Sequence, residues 1–200
     1  MKKDKLAFID LETTGTDPSK HEIIEIGCVL ARQEGNNIEK VEEFEIKVKP
    51  ERIEDAEQKA LRINGYNEAD WLFAVDLRQA LETIAKKSEG HILAGQNIAF
   101  DWAFLDKAYR DAGLEWKIQY YMVDTKSIAF AKLHNDETIK NYSLRELCQH
   151  YGIENVKAHS ALSDIQATFE VYKKLVLKQR TEQVDTSQKN AAREWPVGQN

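Results

Sequence analysis

The stretch Phe8-Ile9-Asp10-Leu11-Glu12 constrains this chain more than any other. Leu6-Ala7-Phe8-Ile9 and then Leu11 form an apolar run that reads as a core strand. Strand side chains alternate between faces, so Asp10 and Glu12 point the same way. Two carboxylates on one buried face are costly unless a cation or a partner offsets them. The stretch therefore reads as a strand that holds a metal, against the plainer alternative of an edge strand with solvated acids.

The rest of the chain supplies a frame. Thr13–His21, with Gly15 and Pro18, reads as a tight connection. Ile23-Ile24-Glu25-Ile26-Gly27-Cys28-Val29-Leu30 is a second strand, and Gly35-Asn36-Asn37 a hairpin turn. Phe44, Ile46 and Val48 alternate with charged residues as a third strand, which Pro50 ends. Ala56, Leu61 and Ile63 belong to a short helix with a turn at Asn64-Gly65. Leu72, Val75, Leu77, Ala80, Leu81 and Ile84 space as a second, amphipathic one. Ile92–Gly95 and Tyr120–Val123 are two more strands, with a helix from Asn97 to Gly113 between them. Asp124-Thr125 is placed to cap a helix over Lys126–Leu133, and Ser143 with Glu146 forms a capping-box pattern before Leu144–Tyr151. Ser160 is placed to cap a long helix with the stripe Leu162, Ile165, Phe169, Tyr172 and Val176.

This order predicts an α/β fold with a mixed five-stranded sheet, a three-strand meander plus two further strands, flanked by helices. One domain is expected over 1–178. Residues 179–200 are mostly polar, with an isolated Trp195-Pro196-Val197, and read as a flexible tail. No apolar stretch approaches the ~20 residues of a membrane span, and the apolar run after the charged N-terminus is too short for a signal peptide. A cytoplasmic protein is expected, with Cys28 and Cys148 as buried thiols. The net charge of −6 argues against a long duplex-binding surface but not against an enzyme that grips one strand end.

Two further groups carry chemistry. Asp101, in Asn97-Ile98-Ala99-Phe100-Asp101, follows a buried strand near a helix start, where sites of open α/β sheets gather. Taken alone it is also explained as an acid favouring a helix dipole. His159 and Asp164 bracket the start of the last helix, which ordinary capping would also explain. Together, Asp10, Glu12, Asp101 and Asp164 have the oxygen ligands that two Mg²⁺ or Mn²⁺ ions want. Two such ions can clamp an in-line phosphoryl displacement, with a neutral His taking the proton from water.

At this point the residues resemble a known family, the DEDDh group of 3′→5′ exonucleases, with a ribonuclease-H-like fold. Its members include the proofreading subunit of bacterial DNA polymerase III, ribonuclease T and oligoribonuclease. Phe8-Ile9-Asp10-Leu11-Glu12-Thr13-Thr14-Gly15 resembles the first motif, Asn97-x-x-Phe100-Asp101 the second and His159-x-x-x-x-Asp164 the third. The resemblance implies that Asp10, Glu12 and Asp164 hold one metal and that Asp10 bridges to a second, which Asp101 supports through water. It makes His159 the general base. It implies contacts from Thr13 and Thr14 to the terminal nucleotide, partly through backbone N–H groups. Phe100 would pack on a sugar or base, Asn97 would orient the site, and Leu61 and Ile63 would form an apolar wedge. Asn64 falls where many relatives have a His-Gly pair. The implied partner is a single-stranded 3′ end, DNA favoured, with a DNA polymerase as a further partner. The alternatives are an RNA-trimming or oligonucleotide-degrading enzyme and, in another class, a catalytically inactive nucleic-acid-binding subunit. Two bound divalent ions would offset four of the six net negative charges.

Overall fold

In a computed structural model, which describes residues 3–155 and 158–177, the first apolar run lengthens into strand β1 (Lys3–Thr13). It pairs antiparallel with β2 (Ile23–Glu34), which turns at Gly35-Asn36 into antiparallel β3 (Asn37–Lys47). Gly35 adopts a φ of 60°, the left-handed conformation such two-residue turns require. A 3₁₀ turn (Ile53–Asp55) and α1 (Gln58–Asn64) follow, then α2 (Leu77–Lys87). β4 (Ile92–Gly95), α3 (Ala99–Ala112), β5 (Met122–Asp124), α4 (Thr125–Leu133), α5 (Leu144–Tyr151) and α6 (Ala161–Leu177) complete the chain. The sheet order is β3-β2-β1-β4-β5, with β4 and β5 parallel to β1. This is the expected mixed sheet, with β1 at its centre. The expected tail, 179–200, lies outside the described residues.

The alternation of β1 divides the core. Ala7, Ile9 and Leu11 face α2 and α3, packed with Leu81, Ile84, Phe104 and Leu105. Leu6 and Phe8 face α6, where the Phe8 ring meets Phe169 and Tyr172 edge-on at 5.3 and 5.1 Å between centroids. A further cluster, centred on Ala129, Leu147 and Val171, joins α4 and α5 to α6. Asp10 and Glu12 continue the α6-facing side of β1, which is apolar at Leu6 and Phe8 and acidic two residues later. Asp10 lies opposite Gly27 of β2, and a Cβ on Gly27 would come within 2.2 Å of the Ala161 backbone. The missing side chain lets the first turn of α6 rest on the sheet beside the acids.

Local chemistry explains where elements end. The helix expected from Leu72 begins only at Leu77, capped by the Asp76 carboxylate on the Gln79 N–H. Val75 instead bridges to Val48, with Val75 N–H to Lys47 O and Lys49 N–H to Val75 O. Leu72 and Phe73 are exposed. Asp124 caps α4 as expected. Ser143 caps α5 through the Glu146 N–H, but Glu146 accepts from the Lys140 N–H, so only half of the capping box forms. Tyr120 is exposed, and β5 starts at Met122. Both cysteines are buried and free. Among the described residues no helix is long and apolar enough to cross a membrane.

Candidate active site

β1 outruns its parallel neighbour. Their pairing covers Leu6 to Phe8 opposite Ile92 to Ala94, and β4 ends at Gly95. Beyond that point a buried N–H on the β4 side of β1 needs another acceptor. The Leu11 N–H donates to Asp101 Oδ1 at 3.0 Å. Asp101 is buried in the first turn of α3, where a helix start also favours an acid. The bond fixes α3 to β1 between the two other acids of the strand.

α6 brings the remaining groups from the opposite side. One ligand atom each from Glu12, His159 and Asp164 lies within 4.8 Å of the others. The Asp164 carboxylate accepts on both oxygens: Oδ1 from the Asn155 amide at 2.5 Å and Oδ2 from the His159 N–H at 3.2 Å. His159 holds a φ of 68°, a left-handed conformation that costs a non-glycine residue about 1–2 kcal/mol and clusters at functional sites. The imidazole is on an exposed residue, while Glu12 and Asp164 are partly buried.

The sequence reading places Glu25 in the strand after the first motif but gives it no role in the site. It lies opposite Glu12 in the β1–β2 register and is 3% exposed. Its Oε1 accepts the Ala161 N–H at 2.9 Å and lies 3.5 Å from the Ser160 hydroxyl. A carboxylate from β2 thus receives the start of α6, where only a Ser160 cap was expected. The signal was present: Glu25 interrupts an apolar strand just as Asp10 does.

The acids oppose one another's ionisation. Burial pushes the Asp10 carboxyl well above the usual carboxylate range, and Asp101, Asp164, Glu12 and Glu25 push it further. Glu12 is pushed up to about 8 by burial, then by Asp164, Glu25 and Asp101. Burial raises Asp101 too, against the Leu11 N–H that favours its charge. Among the described residues no lysine or arginine pairs with Asp10, Glu12, Asp101 or Asp164. A clustered, all-oxygen set with no cation paired to it among the described residues, plus one imidazole, fits a divalent ion.

The other expected contacts surround this centre unevenly. Thr13 and Thr14 are both buried. Thr14 gives its N–H to Glu22 O, takes the Glu22 N–H on its hydroxyl and takes the Glu57 N–H on its carbonyl. Its N–H is therefore already committed inside the protein, and Thr14 locks the loop. Thr13 donates its hydroxyl to Gly15 O. Asn64 is buried and donates to Thr13 O at 3.1 Å, which ties α1 to the end of β1. Ile63 is exposed and Leu61 partly buried on that helix. Asn97 takes a φ of 62° and donates its N–H to Asp124 Oδ1 at 2.8 Å. Phe100 is partly buried, its ring tilted against that of Phe104 at 5.1 Å between centroids. A groove of about 470 Å³ beside α5 has Asn155, His159 and Asp164 on its wall. A larger one, of about 560 Å³, is lined by His21, Arg52, Arg78 and Lys107 and contains none of the four acids.

Residues 7–172 match the model of the RNase T exonuclease family. The chain belongs to this exonuclease family. It is 30% identical to the PolC-type DNA polymerase III of Thermotoga maritima, over 84% of this chain and 12% of that one. It is 27% identical to the 3′-5′ exonuclease DinG of Staphylococcus aureus, over 86% of this chain and 19% of that one. The chain thus spans less than a fifth of either relative. The structure superposes on exonuclease I of E. coli, solved in a zinc-bound complex with single-stranded DNA, with a TM-score of 0.76 at 20% identity. That match covers 89% of this chain and 41% of the other. A 3′-exonuclease that recognises the 3′ end of a histone mRNA stem-loop superposes with a TM-score of 0.69 at 17% identity, over 88% of this chain and 64% of that one. The fold is ribonuclease-H-like and the family one of exonucleases, as the resemblance implied.

Proposed function

We propose that this exonuclease domain removes nucleotides one at a time from the 3′ end of single-stranded DNA, using two divalent ions held by Asp10, Glu12, Asp101 and Asp164. The observation that carries the proposal is the convergence of these four acids and His159 at the end of β1. The bound ions would supply a lowered pKa for the attacking water and neutralisation of the phosphoryl charge. Asp10 would hold the ions together with Asp101, Glu12 and Asp164, whose charges all act on its carboxyl. The His159 imidazole accepts the proton of the attacking water. The water oxygen bonds to phosphorus as the bond from phosphorus to the 3′ oxygen breaks, and the leaving oxygen takes a proton from solvent, giving a shortened strand with a 3′ hydroxyl and a nucleoside 5′-monophosphate. Thr13, Leu61, Ile63, Asn97 and Phe100 border the place where the terminal nucleotide would sit.

The 4.8 Å spacing also favours a second reading, in which His159 is a metal ligand rather than a base. Release of mononucleotides from 3′-labelled single-stranded DNA, RNA and mismatched duplexes with Mn²⁺ tests the main proposal. No release from any substrate defeats it, and preferential release from RNA replaces the DNA substrate with the RNA-trimming alternative. DNA is favoured because the PolC-type relative is named a DNA polymerase and the exonuclease I neighbour is solved with single-stranded DNA. The PolC-type relative also motivates a polymerase as partner. Co-purification of the full chain with a replicative polymerase subunit tests that.

A further inference from the structure

We propose that Asn155 is a positioning residue that fixes the Asp164 carboxylate in its metal-binding rotamer; this rests on the metal-centre reading above. Asn155 lies outside the three motifs and is uncharged. Its amide is engaged at both ends. Nδ2 donates to Asp164 Oδ1 at 2.5 Å, and Oδ1 accepts from the Ser163 hydroxyl at 2.7 Å. An ionised carboxylate can only accept, so the Asp164 oxygen selects the NH₂ end of the amide, and the Ser163 hydroxyl, which can donate, meets the amide oxygen.

The arrangement suits a ligand that must stay available. Asp164 Oδ2 takes the His159 N–H, so each carboxylate oxygen carries one donor and keeps a lone-pair direction open. A lysine in place of Asn155 would hold the carboxylate as well but would repel a cation. An amide holds it without adding charge. Asp164 sits in the first turn of α6, where its side chain has staggered alternatives that would carry it away from Glu12. The Asn155 bond selects one of them. It also ties the segment before His159 to α6, so the imidazole and the carboxylate are set by the same contact. Partners of this kind, hydrogen-bonded to a metal ligand, typically contribute 10–100-fold to metal affinity.

The test is Mn²⁺ affinity of the full chain without substrate, measured by electron paramagnetic resonance, with melting in chelator as a control. Asn155→Ala is expected to weaken Mn²⁺ binding roughly 10–100-fold while leaving the chelator melting point near wild type. Ser163→Ala, which frees the Asn155 amide to turn, should weaken it less, in the same direction. In an Asp164→Asn background, Asn155→Ala should add nothing, because its effect runs through Asp164. Wild-type affinity in Asn155→Ala overturns the proposal, and so does a further loss in the Asp164→Asn background. If Asn155→Ala does not fold, wild-type affinity in Ser163→Ala overturns it. If Asp164→Asn binds Mn²⁺ as tightly as wild type, the metal-centre reading itself fails and takes this inference with it.

Discussion

Replacing Glu12 by Gln should stabilise the metal-free protein while weakening its response to metal. Glu12 has an ordinary value of 4.5 and is pushed to about 8 in the fold. A carboxyl whose folded value is raised binds its proton more tightly when folded, so its ionisation costs stability as pH rises from about 4.5 to about 8. Near pH 7.5 the folded group sits below its own value and the unfolded one well above, which sets a ceiling of about 4 kcal/mol at 1.36 kcal/mol per unit. Glu12 is only partly buried, and relaxation and water reduce this to about 2 kcal/mol. For a chain of this size that is about 4–8 °C in melting temperature. Near pH 5 the wild-type carboxyl is itself mostly protonated in the fold and resembles the amide, so the gap should close to under about 1 kcal/mol. Calorimetry of both proteins in chelator at the two pH values reads the difference directly. A Gln variant no more stable than wild type near pH 7.5, or a gap that does not narrow near pH 5, refutes the argument from crowded acids. With Mn²⁺ added near pH 7.5, wild type should gain more than the variant.

Three other substitutions divide the roles of the site. Asp10→Asn should abolish mononucleotide release and weaken Mn²⁺ binding, because Asp10 faces all the other acids; retained activity would remove it from the centre. His159→Gln should cut turnover by roughly 10²–10⁴ with Mn²⁺ affinity little changed, and an equal loss of affinity would make His159 a ligand. Gly27→Ala should destabilise the fold by about 3 kcal/mol in urea titrations, since the new methyl falls 2.2 Å from the Ala161 backbone; a change under about 1 kcal/mol would show that α6 can shift freely.

Much of the candidate site could be read from the sequence because strand alternation and a helix start carried it. Period two put Asp10 and Glu12 on one face, and the helix start after His159 put Asp164 near them. Contacts that depend on where strands stop could not be read this way. The Leu11 N–H reaches Asp101 only because β4 ends short of the acidic half of β1, and no local signal gives that length. Leu72 and Val75 have helical spacing yet lie in a loop, because Val75 finds a strand partner in Val48 across a long gap in sequence. Glu25 was legible by the same rule that singled out Asp10, a charge inside an apolar strand. Its contact is with the start of α6, which sequence spacing cannot place.

The acids differ in what the scaffold gives them, and the difference points to their use. Asp101 accepts a backbone N–H from β1, Glu25 one from Ala161, and Asp164 one from His159 together with the Asn155 amide. These uncharged donors hold three carboxylates in place without neutralising them. Among the described residues no hydrogen bond reaches the carboxyl of Asp10 or Glu12. Those two lie on the rigid central strand, where backbone pairing to β2 already fixes them, and they need no donor to be oriented. The site therefore sets acids that the fold holds with donors beside two that it does not, so binding a divalent ion should relieve the most repulsion where the fold has supplied the least compensation.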